Sequence, residues 1–275
     1  MPLGDGEGTP VQEIKRAVAG LFGRVASSYD QVGFLHQIAR RLVARAGVRP
    51  GASVLDVACG TGAALLEAAR RAGPDGMVVG IDLAEPMVAE AARRLRARGP
   101  GCGAVAVMDA ERLALQPASF DVVCCASAVY LLGDQAAAVR GWRELLRPGG
   151  RLAVSAFGDL DARWAWKQEL LGRLAPPLER LGAGCRGPVA LEGLLRSSGA
   201  RMVTVGVERL DVAYTDAQAW WAEQWTHGER RALERMDDHA RAAYQAAAFA
   251  AVEGCREADG ALHWRPEVIY AVAST

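Results

Sequence analysis

Three aspartates, Asp56, Asp82 and Asp109, stand at the ends of the apolar runs SVLDVA, MVVGID and AVAVMD, and Gly60, Thr61 and Gly62 follow the first of them. Carboxylates at such places accept hydrogen bonds from hydroxyls and amines. Glycines, lacking a Cβ, let backbone N–H groups come close to a ligand. The plain alternative is a buried strand and a turn. Three acids at successive strand ends, with a glycine loop after the first, converge on one crevice if the strands run parallel.

The surrounding pattern supplies such strands. From about residue 52, strand-like runs alternate with helical stretches: SVLDVA, a helix to about Arg71, MVVGID, a helix from Glu85 to Arg98, AVAVMD, FDVVCCA, a helix around 134 to 147, and RLAVSAF. That alternation implies an α/β chain with a mostly parallel, Rossmann-like sheet and helices on both faces. Several of the runs lack in/out alternation, as expected when both faces of a sheet are covered.

Two phosphate-binding rivals fail on spacing. The dinucleotide fingerprint G-x-G-x-x-G needs a third glycine where Leu65 stands, and no lysine completes a G-x-x-x-x-G-K-[ST] loop. The ligand is therefore not expected to be held through phosphates.

Composition excludes other classes. The 275 residues balance 32 Lys plus Arg against 32 Asp plus Glu, which gives no general attraction to nucleic acid or to anionic lipid. The run Arg93, Arg94, Arg96 and Arg98 reads as a solvated helix face. Cysteines at 59, 102, 124, 125, 185 and 255 form no CxxC and no Cys/His cluster, so neither zinc nor a disulfide framework is indicated. No secretory signal is visible and the longest apolar run, VVCCASAVYLL, is too short to span a bilayer. A soluble protein in the reducing cytoplasm, with no metal, is the expectation. Oligomeric state is not legible.

Taken together, FGRVASSYD (22 to 30), VLDVACGTG (54 to 62), VVGIDLAEPMVAEAARR (78 to 94), MDAERLALQPASFDVV (108 to 123) and LLRPGGRLAV (145 to 154) resemble the class I S-adenosylmethionine-dependent methyltransferases. The likeness is to the small-molecule branch that includes ubiquinone and menaquinone methyltransferases. Ala58 replaces the first glycine of that family's loop. The resemblance implies seven strands, the last antiparallel beside its predecessor, and S-adenosyl-L-methionine as cofactor, released as S-adenosyl-L-homocysteine. It implies that Asp56 and the backbone of Ala58, Cys59, Gly60 and Gly62 hold the methionine portion, and that Asp82 accepts the ribose hydroxyls. Asp109 and the Ala110 N–H would read the adenine, Leu83 and Met87 would pack on it, and Ala126 after the fourth strand would face the cofactor. Tyr29 matches a tyrosine lying over the cofactor; a helix-packing role is its alternative.

Two segments lie outside the alternating core. Residues 1–47, with helices over 11 to 47 joined near Ser27-Ser28, are expected to form an N-terminal lid. The core then covers 48–275, interrupted by a helical insertion at about 216–257 between the last two strands, a second lid element. A strand is expected at 201 to 213, and helical structure over 159 to 182 and 188 to 199. Trp221 and Trp225, at i and i+4, either bind the insertion to the core or wall an apolar substrate pocket.

Methyl transfer from a sulfonium needs a base only when the nucleophile must lose a proton. Tyr130, His36 and His227 are the candidates, each with a structural alternative, and His36 and Tyr130 are expected to matter more than His227. The expected activity is methyl transfer to a small-molecule acceptor, plausibly in bacterial secondary metabolism given the Ala, Arg and Gly content. A cofactor-retaining cyclase of the same fold stays open, as does a macromolecule methyltransferase, although the Asn/Asp-Pro-Pro-aromatic turn of base-methylating enzymes is replaced here by Ala126-Ser127-Ala128-Val129.

Overall fold

A computed structural model describes residues 10–99, 103–177, 185 and 187–274. Residues 1–9 of the expected N-terminal segment, Cys102, and 178–182 of the expected 159 to 182 helix lie outside the described residues.

Seven strands form one sheet: β1 (Ser53–Val57), β2 (Met77–Asp82), β3 (Gly103–Val107), β4 (Phe120–Cys125), β5 (Leu146–Phe157), β6 (Met202–Arg209) and β9 (Glu267–Ser274). Their order is β3-β2-β1-β4-β5-β9-β6, with β9 antiparallel to both neighbours. Because β1 pairs with β2 on one side and β4 on the other, the order reverses direction between β1 and β4, and a crevice opens beyond their carboxyl ends. Two further strands, β7 (Val212–Tyr214) and β8 (Leu262–Trp264), pair with each other outside the sheet.

Helices α3 (Ala63–Ala72), α4 (Glu85–Arg96), α5 (Gln135–Glu144) and α7 (Pro188–Ser197) connect the strands as the sequence pattern requires. Two buried clusters, one on each face, hold the sheet between layers. The α7 helix ends in Ser198 and Gly199, the latter at φ 90°, a left-handed stop.

The N-terminal helices differ in kind. The α1 helix (Pro10–Val25) lies across the carboxyl-end crevice and touches α4, whereas α2 (Gly33–Ala46) buries Phe34, Ile38, Leu42, Val43 and Ala46 against α3 and the sheet. The two halves of the segment 11 to 47, expected together as a lid, thus pack differently. Its α2 half is a core layer, because the apolar stripe of that helix meets the sheet face.

The expected strand at 201 to 213 is broken. Leu210 is buried, and Asp211 is drawn out of line by His263 and Arg265, so that β7 leaves the sheet to pair with β8. Between them run α8 (Ala217–Gln224), α9 (Arg230–Arg235) and α10 (Asp238–Val252). Asp216 and Asp237 cap α8 and α10 by accepting the N–H of Ala219 and Ala240. The insertion packs with α6 (Trp166–Leu174) around a core of its own that includes Trp164, Trp220 and Tyr244. Among the described residues no helix is long and apolar enough to cross a membrane, and no group of His, Cys, Asp and Glu could hold a metal ion.

Candidate active site

The loop after β1 is built on left-handed backbone. Ala58 and Gly60 both have φ 54° and Gly62 has φ 91°. For Ala58 that conformation costs about 1–2 kcal/mol. The turn is tied to β2 by the Cys59 N–H, which donates to the Ile81 carbonyl at 2.8 Å. Gly80 makes room for it: a Cβ there would lie 2.9 Å from Leu65 and 3.0 Å from the Cys59 sulfur.

Asp82 faces this loop. One carboxylate oxygen accepts the Gly60 N–H and the other the Ala84 N–H, both at 2.9 Å. Burial pushes its pKa up, and these backbone donors pull partly against that shift. Asp56 lies deeper and is fully buried. Desolvation raises its pKa to about 7, opposed by hydrogen bonds from Cys124 and the Leu65 backbone and reinforced by the charge of Asp82. Its Oδ2 has no protein partner.

A crevice of about 110 Å3 opens over this loop. Of the residues singled out as cofactor contacts, Tyr29, Ala58, Gly60, Asp82, Leu83, Met87, Asp109, Ala110 and Ala126 line it. Asp56, Cys59 and Gly62 do not. Asp56 is buried on β1 against Cys124 of β4, the Cys59 sulfur points toward Gly80, and Gly62 packs its Cα side on Ala91. At the far end Asp109 accepts the Glu111 N–H and is paired with Lys15 from α1.

A larger cavity of about 370 Å3 adjoins the crevice and shares Val18, Phe22, Tyr29, Ser127 and Leu131 with it as walls. Ser127, at this seam, is held at φ 54° with its N–H on the Ser155 hydroxyl, 3.0 Å away. Phe34, Phe157 and Trp264 form an aromatic cluster with ring centroids 5.2 to 6.5 Å apart. Tyr130, on the single turn Val129–Leu131 after β4, lines the cavity near the seam. His227 lines it from the insertion.

His36 does not line either space. Its Nε2 lies 3.1 Å from Asp30 Oδ1, in a cluster where Asp30 also accepts Thr61 and Arg94. Burial would raise the Asp30 pKa, but the His36 and Thr61 hydrogen bonds and the Arg94 charge outweigh it and lower it. His36 thus braces the segment carrying Tyr29 against the loop, whereas His227, expected to matter less, is the one of the two that lines the cavity. Arg94 likewise turns inward rather than standing on a solvated face. Trp221 and Trp225 pack edge to face on each other at 6.0 Å away from the cavity, and the neighbouring Trp220 supplies the wall instead.

Among the polar residues that line these spaces, Lys15, Lys167, Tyr214 and Glu223 escaped the sequence reading. A signal existed for two of them. Lys15 and Lys167 are the only lysines in a chain that otherwise uses arginine, and one lines each space.

A family model described as a methyltransferase domain matches residues 54–150. Nocamycin O-methyltransferase of Saccharothrix syringae is 36% identical over 244 residues, spanning 82% of this chain and 87% of that protein. A ubiquinone/menaquinone biosynthesis C-methyltransferase of Cupriavidus taiwanensis is 37% identical over 158 residues, 54% of this chain and 65% of the relative. Among solved structures, the YcgJ protein from Bacillus subtilis superposes with a TM-score of 0.60 at 18% identity, over 87% of this chain and 98% of that one. The chain belongs to the class I S-adenosylmethionine-dependent methyltransferases, and S-adenosylmethionine is its cofactor.

The crevice fits that group. The missing Cβ of Gly60 leaves only the Tyr29 ring on that side, 3.9 Å away, so a ligand can lie against the backbone. Asp82 keeps lone pairs for hydroxyls beyond the two N–H bonds it accepts, and Leu83 and Met87 give an apolar wall.

Proposed function

We propose that the protein transfers a methyl group to an oxygen of a small, largely apolar acceptor, within bacterial secondary metabolism. The observation that carries this reading is the 370 Å3 aromatic cavity, which meets the cofactor crevice along a common wall. Oxygen is favoured because the O-methyltransferase likeness runs over 82% of the chain, whereas the C-methyltransferase likeness covers 54%. A small acceptor is favoured over a macromolecule by the walled cavity and the zero net charge. A cytoplasmic setting belongs to the same proposal, supported by five buried, unpaired cysteines among the described residues.

In this reading Asp82 takes the ribose hydroxyls, Asp109 and the Ala110 N–H take the adenine, and Leu83 and Met87 flank its ring. Gly60 and its neighbours hold the methionine portion, with Asp56 fixing the loop from below and Tyr29 covering it. The cofactor supplies a methyl group made electrophilic by its positively charged sulfur. The protein's part is to hold the acceptor oxygen in line at the seam and to keep water out, work done by Phe22, Tyr29, Ser127 and Leu131. Tyr130 lines the cavity beside that seam, between Ser127 and Leu131 on one side and Phe157 on the other, and receives or holds the acceptor proton where there is one; His227 acts from the insertion.

The test is incubation with trideuteromethyl cofactor and a panel of phenols, enols and carboxylic acids, followed by mass spectrometry. Label appearing on an acceptor oxygen is expected. Label only on nitrogen or carbon, across a panel extended to amines and carbon acids, overturns the assignment to oxygen.

A further inference from the structure

We infer that Glu223 recognises the acceptor at the end opposite the methylated oxygen, and that this end carries a hydrogen-bond donor, an ammonium or a hydroxyl. The inference rests on reading the large cavity as the acceptor's. Glu223 closes the last turn of α8 and lines that cavity, with its side chain 15% exposed. The Tyr214 hydroxyl donates to its Oε1 at 2.6 Å. No other hydrogen bond reaches its carboxylate among the described residues, so Oε2 and one side of Oε1 remain for a ligand.

Neither His227 nor Lys167 hydrogen-bonds this carboxylate. His227 Nε2 lies 3.8 Å from Oε1, beyond hydrogen-bond reach. Its Nδ1 accepts the Glu229 N–H at 3.4 Å, which places the proton of the neutral ring on Nε2. Lys167 is engaged by Glu229 at 2.7 Å and by Gln224 at 2.8 Å. A carboxylate left part-satisfied among the rings of Trp220, Tyr214 and Trp264 favours donors, cationic ones most, and repels another carboxylate.

A chain of ring contacts runs from its neighbourhood to the seam. Tyr130 to Phe157, Phe157 to Phe34 and Phe34 to His227 are successive centroid steps of 6.5, 6.3 and 6.5 Å. Glu223 lies at the His227 end and Tyr130 beside the seam. An acceptor touching both passes these rings and has an apolar middle.

The experiment is isothermal titration of the protein saturated with S-adenosylhomocysteine, using naphthylethylamine, naphthylethanol and naphthylacetate, which share one aromatic body and differ in the head group. The wild type is expected to bind the amine and the alcohol at least about 10-fold more tightly than the acid, and Glu223→Gln to lose about 10- to 100-fold for the amine. Tyr214→Phe keeps the amine preference, since the carboxylate survives; a purely structural Tyr214–Glu223 contact would lose it in both variants. Equal or tighter binding of naphthylacetate by the wild type overturns the inference whatever the variants do, as does an amine preference retained in a folded Glu223→Gln. Binding of none of the three by the wild type defeats the cavity reading itself, a result distinct from binding without selectivity.

Discussion

Lys15 reaches from α1 to Asp109, 94 positions further along the chain, with its Nζ 2.7 Å from the carboxylate and 2.5 Å from Glu111. Burial lowers the Lys15 pKa, but hydrogen bonds to the two acids outweigh it and the net direction is upward. This contact fastens α1 over the end of the crevice where the adenine is proposed to lie. Lys15→Met should weaken that fastening by about 1–2 kcal/mol, leaving two carboxylates side by side. Hydrogen exchange of residues 10–25 should quicken by roughly 5- to 30-fold, while the central strands keep their protection.

Asp82 braces the loop and, in the proposed reading, also takes the ribose hydroxyls. Asp82→Asn should lower affinity for S-adenosylhomocysteine roughly 30- to 1000-fold by calorimetry, through lost charge-assisted bonds to the ribose. Asp82→Ala should also lower the melting temperature, because the Gly60 and Ala84 N–H groups lose their acceptor.

Asp56 makes the protein without cofactor sensitive to pH in an unusual direction. Its folded pKa of about 7 lies above the ordinary aspartate value of 3.8, so the group is most favourable at low pH, and stability drains away as pH rises toward 7. Thermal melts at pH 5 and pH 8 should show Asp56→Asn gaining on the wild type at the higher pH.

His263 gives a second check, with the same sign but at higher pH, at the base of the insertion. Its ring nitrogens lie 2.7 Å from Asp211 and 2.9 Å from Asp259, and these hydrogen bonds raise its pKa above 6.5. The charged ring therefore stabilises fully below pH 6.5, and the contribution is lost as pH rises through the raised folded value. Exchange of residues 212–214 and 262–264 should quicken across that upward titration, and His263→Gln should abolish the change.

On the acceptor side, Tyr130→Phe should lower turnover by about 100- to 10,000-fold for an acceptor that must lose a proton, with cofactor affinity nearly intact. His36→Ala should change turnover by a few-fold at most. A large loss in His36→Ala with normal cofactor binding would return that residue to the chemistry.

The sheet and the crevice were legible because they depend on short-range pattern. A run such as MVVGID and the glycines after Val57 carry their conformations locally, and parallel pairing then brings Asp82 and Asp109 to one end. Periodicity could not tell what covers an apolar helix face, so α2 read like α1 although Phe34, Ile38 and Leu42 meet the sheet. Nor could it place His36, whose position is set by Asp30 and, through Asp30, by Arg94 far along the chain. The break at Asp211 was hidden for the same reason: its partners, His263 and Arg265, lie more than fifty positions away.

The insertion leaves the sheet after Arg209 and rejoins it at Glu267, and these two residues face each other across the β6 and β9 pair. Directly opposed residues in an antiparallel pair have Cα atoms about 5 Å apart, so the intervening chain is a closed excursion with its ends already joined. Changing the length of such an excursion costs little closure entropy. The excursion, which gives the large cavity its Tyr214, Trp220, Glu223, His227 and Trp264 walls, is in that sense a cassette: this part of the cavity can be exchanged through evolution or engineering without disturbing the strand ends that border the crevice.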